Sequence, residues 1–207
     1  MALQNRVTPF GEIVATSARG TCMGNRGGRI HTPERELTRR RWASRQWICC
    51  VLEFRGRHRE VMSPNSYTEL FFLDEATALA AGHRPCFECR RADALRFREA
   101  FASGNPELVG PVPSAAEIDR VLHDARVQPG GGKRTYRAAL SDLPPGTMVG
   151  AGGEAWLLWD GALHRWSFEG YRERRPLAAG EAEVLTPRPL VRALRAGYVP
   201  AIHASVR

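Results

Sequence analysis

Residues 67–91, YTELFFLDEATALAAGHRPCFECRR, decide how the chain reads. Tyr67 to Leu73 mixes aromatic and aliphatic residues and predicts a strand. Asp74 stands where a helix N-cap is expected, followed by Thr77 and an alanine-rich run. Gly82 is the residue that can stop that helix. Arg84 to Cys89 predicts a tight turn. Arg90 to Phe101, with Ala94, Leu95, Phe97 and Phe101 apolar, predicts an amphipathic helix. The turn carries Cys86 and Cys89 at Cys-x-x-Cys spacing.

Working outward, Gln46 to Phe54 is rich in Trp, Ile, Val and Phe and predicts a strand. Arg55-Gly56-Arg57-His58 turns the chain, and Arg59 to Met62 returns it, completing a hairpin. Glu34 to Arg45 is charged and reads as a helix. Residues 17–34, with four glycines and Pro33, read as loop. The Gly24 to Gly28 stretch lacks the spacing and lysine of a phosphate-binding P-loop. Gly11 to Thr16 predicts a short strand. Downstream, Gly104 to Pro113 is a proline-rich linker. Ser114-Ala115-Ala116-Glu117 has the form of a capping box, opening a helix with Ile118, Val121, Leu122 and Ala125 at helical spacing. Ala155 to Trp159 and Ala162 to Phe168 predict strands joined by Asp160-Gly161, a two-residue hairpin signal. Glu183 to Leu185 predicts another strand, and Pro187 to Ala196 a helix stopped by Gly197. The expected fold is α+β. Residues 1–105 form a basic region with a small mixed sheet, and residues 106–207 a helix plus β-hairpin region, with a second boundary near residue 140.

The chain has 207 residues, 43% hydrophobic and 25% charged, which excludes a disordered, collagenous or disulfide-dense protein. The longest apolar runs, such as Trp47 to Leu52, are too short to span a bilayer. Met1 to Arg19 lacks the order of a signal peptide, so a cytoplasmic location and reduced cysteines are expected. The net charge is +8, and all but one of the 30 basic residues are arginine. Between Arg19 and Arg59 lie eleven arginines against three acids (Glu34, Glu36, Glu53), which accounts for the whole excess. Such a one-sided segment implies a polyanionic partner, nucleic acid first; the competing reading is a solvated arginine-rich face.

Cys86 and Cys89 aim two thiolates at one point, as half a zinc site requires. The alternatives are a redox dithiol and two buried cysteines without a ligand. The redox reading is disfavoured because the pair follows a glycine-stopped helix instead of a thioredoxin-like strand.

Leu79-Ala80-Ala81-Gly82-His83-Arg84-Pro85-Cys86-x-x-Cys89-Arg90, within residues 67–91, resembles the second half of the zinc-binding domain of the Ada family of DNA alkylation-repair proteins. In that family four cysteines bind zinc, and one of the first pair accepts a methyl group from a DNA phosphotriester. The resemblance gives Cys86 and Cys89 the place of the second, structural pair. The family's first pair, spaced Cys-x-x-x-Cys, has no counterpart here. The upstream cysteines are Cys22, Cys49 and Cys50. Cys49 and Cys50 are adjacent on a strand and point to opposite faces, so one should reach the site, and sequence distance favours Cys50. Cys22, His31 and His83 are the candidates for a fourth ligand. Methyl-acceptor activity is not carried over, because the accepting residue has no identifiable equivalent. Cys22 is expected to be exposed in the glycine-rich loop.

Arg39-Arg40-Arg41-Trp42-x-x-Arg45-x-Trp47 interleaves guanidinium groups, which pair with phosphate, and indoles, which stack on unpaired bases. Trp47, at a strand start, is expected in the core. Arg90 and Arg91 would extend the basic face. Glu53, Glu60 and Glu69 could bind a catalytic metal in a nuclease, but carboxylates among arginines are more often ion pairs. The sequence therefore predicts a zinc-containing DNA-binding protein, acting in DNA repair or recognition of modified DNA, with DNA favoured over RNA. Its metal ligands would be Cys50, Cys86 and Cys89. The alternatives are a nucleic-acid-cleaving or base-excising enzyme and a zinc-stabilised protein–protein adaptor.

Overall fold

The structure is a computed structural model and describes residues 2–57 and 60–206. In the first half, strands β1 (Gln4–Val7), β2 (Ile13–Ala15), β3 (Cys22–Arg26), β4 (Trp47–Cys50) and β5 (Leu70–Phe72) precede helix α1 (Glu75–Ala80). The two-residue strand β6 (Arg84–Pro85) leads into helix α2 (Arg91–Gly104). After the linker come helix α3 (Ala115–Arg126), β7 (Tyr136–Ala139) and β8 (Met148–Ala151). β9 (Glu154–Trp159), β10 (Ala162–Ser167), β11 (Gly170–Pro176), β12 (Glu181–Val184) and helix α4 (Arg188–Arg195) complete the fold.

The first sheet is mixed, in the order β2-β1-β5-β3-β4-β6, with β1–β5 and β4–β6 parallel. The second runs β11-β10-β9-β8-β12-β7 and is antiparallel throughout. With four helices among the described residues this is an α+β fold.

Helix α1 is the hub. All six of its residues are buried. Its alanines let neighbours approach from every side. Ala78 packs with the first sheet, Ala76 and Ala80 with Met148 and Leu157 of the second, and Leu79 with Phe97, Ile118 and Leu190 of the other helices. The hydrophobic clusters thus join residues on both sides of residue 105. Asp74 caps α1 as expected, its Oδ1 accepting from the Thr77 N–H at 2.9 Å. Gly82, just past the helix, has φ +88°. A Cβ there would lie 2.6 Å from Arg126 Cδ, so the position requires glycine for space as well as conformation. The Ser114 capping box and the Asp160-Gly161 hairpin form as read.

Three local expectations are corrected. Residues 34–45 contain no helix; the segment is irregular, held by a bridge between His31 and Leu37. β4 has no hairpin partner at 60–62, where 61 and 62 form a turn, while His58 and Arg59 lie outside the described residues. Instead β4 lies between β3 and β6. Part of the presumed loop 17–34 is β3, a central strand. Gly24 is why it can be central, because a Cβ there would meet the Ile48 carbonyl oxygen at 2.1 Å.

Candidate functional site

Alternation on β4 sends Cys49 into the core with Cys22, Leu70 and Phe72, and Cys50 to the opposite face. β6 lies parallel to β4, with Cys49 opposite Pro85. The Cys86 N–H donates to the Cys49 carbonyl at 2.9 Å, which extends the ladder and sets Cys86 beside Cys50. The turn 86–89 then brings round Cys89. The sulfurs of Cys50, Cys86 and Cys89 lie within 4.8 Å of one another and can hold a metal ion.

Two arginines clamp this turn. Before it, Arg84 makes a bidentate pair with Asp119 of α3, Nε to Oδ1 at 2.9 Å and Nη2 to Oδ2 at 2.7 Å. After it, Arg90 Nη2 donates to Glu75 Oε2 at 2.8 Å, and its Nε donates to Asp93 at 2.9 Å. Both pairs are almost fully enclosed. Arg90 Nη1 also approaches the Cys49 sulfur at 3.5 Å. Arg90 is therefore a structural clamp, not part of the expected basic face, whereas Arg91 is exposed. Its position after the second cysteine gave no hint of this, because the partner carboxylate lies fifteen residues upstream.

The three thiols divide their protons unequally. Hydrogen bonds from the Cys50 and Cys89 thiols, then from the Cys89 and Glu88 N–H groups, hold Cys86 well below the ordinary thiol range. The Glu88 N–H lies 3.4 Å from the Cys86 sulfur. Cys50 is pushed up, first by its hydrogen bond to Cys86. Cys89 is drawn down by Cys50, but Cys86 and burial outweigh that pull and raise it. Three thiols so close cannot all ionise by themselves, whereas a divalent cation offsets the repulsion. Tetrahedral zinc, with Zn–S bonds of about 2.3 Å, needs sulfurs about 3.8 Å apart, so the cluster suits such an ion with small adjustment.

The candidate fourth ligands lie elsewhere. Cys22 is buried on β3, hydrogen-bonded to Cys49, and neither exposed nor in a loop. His31 is buried, with Nδ1 2.6 Å from Thr68 Oγ1. His83 is enclosed between Trp47 and Phe72, at centroid distances of 5.2 and 4.7 Å. Among the described residues no fourth Cys, His, Asp or Glu joins the cluster. The three cysteines instead line a cavity of about 440 Å³, together with Glu53, Glu69 and Glu88. Among the described residues Glu53, Glu60 and Glu69 do not gather into a metal-binding cluster. Glu69 accepts the Met62 N–H at 2.7 Å, Glu60 pairs with Arg35, and Glu88 pairs with Arg57.

On the other side of β4, the irregular segment between β3 and β4 carries Arg39, Arg40, Arg41 and Arg45, all exposed. Among the described residues none of the four is in an ion pair. Trp42 is half-buried, 5.8 Å edge-on from His123 and 6.0 Å from Trp47. Trp47 is buried, as its place at a strand start predicts, and two guanidinium groups cover its ring: Arg26 at 4.1 Å and Arg126 at 4.0 Å. Sequence reading missed both as interior groups.

Among the described residues no helix is long and apolar enough to cross a membrane. Comparison of the chain with family models, curated proteins and solved structures finds no match.

Proposed function

We propose that the protein is a zinc-containing nucleic-acid-binding protein, with DNA its substrate class, acting in repair or in recognition of modified DNA. The observation that carries the reading is the exposed run Arg39, Arg40, Arg41 and Arg45 beside Trp42, four guanidinium groups on one irregular segment with no acidic partner among the described residues. Guanidinium groups left unpaired at a surface suit phosphate, and a neighbouring indole suits a base. Zinc at Cys50, Cys86 and Cys89 would pin the end of β4, and so the segment before it, to the turn that follows β6. The thiolate donors favour zinc over hard cations such as magnesium. In such a site this chain's residues supply three sulfur ligands and the N–H groups that bond to them.

The test is elemental analysis of freshly reduced protein, together with DNA-binding isotherms taken across a salt series. About one zinc per chain is expected. Replacing Arg39, Arg40 and Arg41 by glutamine should weaken binding and flatten the salt slope by about one unit per lost phosphate contact. Unchanged affinity and slope would reduce the arginines to a solvated face.

A second reading, an enzyme acting on nucleic acid, is favoured by one feature. The cysteine cluster faces a cavity with three protein ligands in reach, and catalytic zinc sites keep such an open position. Turnover of labelled DNA separates it from the first.

A further inference from the structure

A second cavity, about 470 Å³, lies beside the β1–β2 hairpin, against the end of β3, the start of β4 and the loop between α3 and β7. Three cations from three elements line it: Arg26 ends β3, Arg126 ends α3, and Lys133 lies in the loop. Arg26 is 3% exposed and Arg126 2% exposed. Lys133 leaves part of its stem at the surface, but its ammonium is enclosed.

None of the three has a carboxylate partner among the described residues. Arg26 donates from Nη1 to the Arg41 carbonyl at 3.3 Å and from Nη2 to the Gly11 carbonyl at 2.8 Å. Arg126 donates from Nη1 to the Gly82 carbonyl at 2.7 Å and from Nη2 to the Arg45 carbonyl at 2.6 Å. Lys133 donates to the Ala80 carbonyl. Backbone carbonyls hold these groups in place but carry no net charge. The Nε atoms of both arginines are buried without any partner. Of the surrounding acids, Asp119 is committed to Arg84 and Glu183 to the Thr135 hydroxyl at 2.8 Å. Glu12 lines the cavity and Asp124 lies near Arg126, but both are exposed and, among the described residues, neither forms an ion pair with the three cations.

Enclosing three like charges without a counter-charge costs several kcal/mol per ion unless something repays it. The strain shows in their proton affinities. Burial, with Arg41 adding, pushes Arg26 down to about 9. Burial, opposed by Asp119, pushes Arg126 to about 9. Burial and then Arg26 push Lys133 to about 7. Both guanidinium groups remain charged at neutral pH, so the three enclosed groups carry between two and three positive charges, and at the lining the exposed Glu12 is offset by Arg41. That exceeds what one carboxylate neutralises. Donors converging from three elements match the spread oxygens of a phosphate better than a planar carboxylate, which one guanidinium fork can satisfy.

We propose that this cavity binds a phosphomonoester group, with Arg26, Arg126 and Lys133 taking its charge and Arg41 and Trp42 at its rim. The volume admits a nucleotide-sized molecule, and Arg39, Arg40 and Arg41 line an adjoining hollow with Trp42 and Gly131. The phosphate can thus belong to a free mononucleotide or to the end of a strand. The site does not depend on the surface-binding reading above, since its three cations are not those of the Arg39–Arg41 run.

The experiment is a thermal-shift and calorimetric series on the full chain with inorganic phosphate, a nucleoside 5′-monophosphate, and one single-stranded oligonucleotide with and without a terminal phosphate. At a hundredfold excess over Kd, a phosphate compound should raise Tm by roughly 5–10 °C. A terminal phosphate that improves oligonucleotide binding by about tenfold or more assigns the site to strand ends. A mononucleotide binding as tightly as the phosphorylated strand assigns it to free small phosphates. The decisive variant is Lys133→Met. It should raise the Tm of the ligand-free protein, because it removes an uncompensated buried cation, and weaken phosphate binding at least tenfold. A merely structural lysine, valued for its bond to Ala80, would lower that Tm instead. The proposal is overturned if millimolar phosphate compounds give no shift and no heat, or if Lys133→Met binds phosphate as the parent does. Because Arg41 rims both places, the double change Arg39→Gln with Arg40→Gln, tested in parallel on duplex DNA, separates failure of this site from failure of the surface.

Discussion

Glu75→Gln puts a number on how firmly the cysteine turn is anchored. Glu75 is 1% exposed, and its Oε2 accepts from both Arg90 Nη2 and the Ala201 N–H at 2.8 Å. Its Oε1 accepts from the Tyr198 hydroxyl at 2.6 Å. Glutamine keeps the volume and one carbonyl acceptor, and the tyrosine hydroxyl can reverse its role, so the change removes mainly the charge. Breaking a buried ion pair typically costs about 3–5 kcal/mol. Arg90 retains Asp93, whose side chain is 29% exposed, so we expect about 2–3 kcal/mol here. For a chain of this length that lowers Tm by roughly 4–12 °C. Because Arg90 directly follows Cys89, metal affinity should fall by about 10–100-fold, as when other outer partners of a metal site are lost. The control is Glu88→Gln in the same turn. Its pair with Arg57 is 60% and 52% exposed and should be worth under about 1 kcal/mol. The assays are calorimetric melting and competition with a chromogenic zinc chelator. Indistinguishable Tm values for the two variants would refute the clamp.

Replacing both Cys86 and Cys89 by serine should abolish metal binding and lower Tm well beyond either single-pair change, because metal-binding free energy is folding free energy; a chelator added to the parent protein should reproduce the drop. Gly82→Ala should cost about 2 kcal/mol in urea denaturation, from the positive φ and the collision with Arg126, and should also shift Trp47 fluorescence as the guanidinium above it moves. Lys133 faces Arg26, Arg126 and Glu183 and holds its proton only up to about 7, against an ordinary 10.5. The unfolded chain therefore binds more protons between those values, so this group's penalty is full below about 7 and stability rises with pH across the window. The difference between parent and Lys133→Met in denaturation midpoints from pH 6 to 10 should shrink accordingly; a flat difference would count against it.

Features written in local chemistry were legible. The Asp74 cap, the Ser114 box and the Asp160-Gly161 turn each need only a few adjacent residues, and Cys-x-x-Cys announces a convergence that spacing alone can supply. Alternation on β4 left the choice between Cys49 and Cys50 open, and its parallel register with β6 was needed to set Cys50 at the turn. What failed depended on distant partners. β3 read as loop because Gly24, Asn25 and Arg26 have low strand propensity; its place between β4 and β5 overrides that propensity. Residues 34–45 read as helix from charge alone, without an apolar stripe to bury. An arginine's burial is invisible in sequence when its partners are backbone carbonyls, as with Arg26 and Arg126.

The start of α1 is finished by the end of the chain. Asp74 Oδ2 accepts from the Tyr171 hydroxyl and the His203 N–H, and Glu75 from Tyr198 and Ala201, so partners arrive up to 129 residues later. At synthesis rates of about 5–20 residues per second, these two acids wait roughly 6–25 s for them. Until then the hub helix has a floor from the first sheet but no latch. A chain halted just before residue 198 would keep Thr77 and Tyr171 on Asp74 and Arg90 on Glu75 but lose the three donors from Tyr198, Ala201 and His203, which leaves the start of the hub helix less tied down and more open to proteolysis.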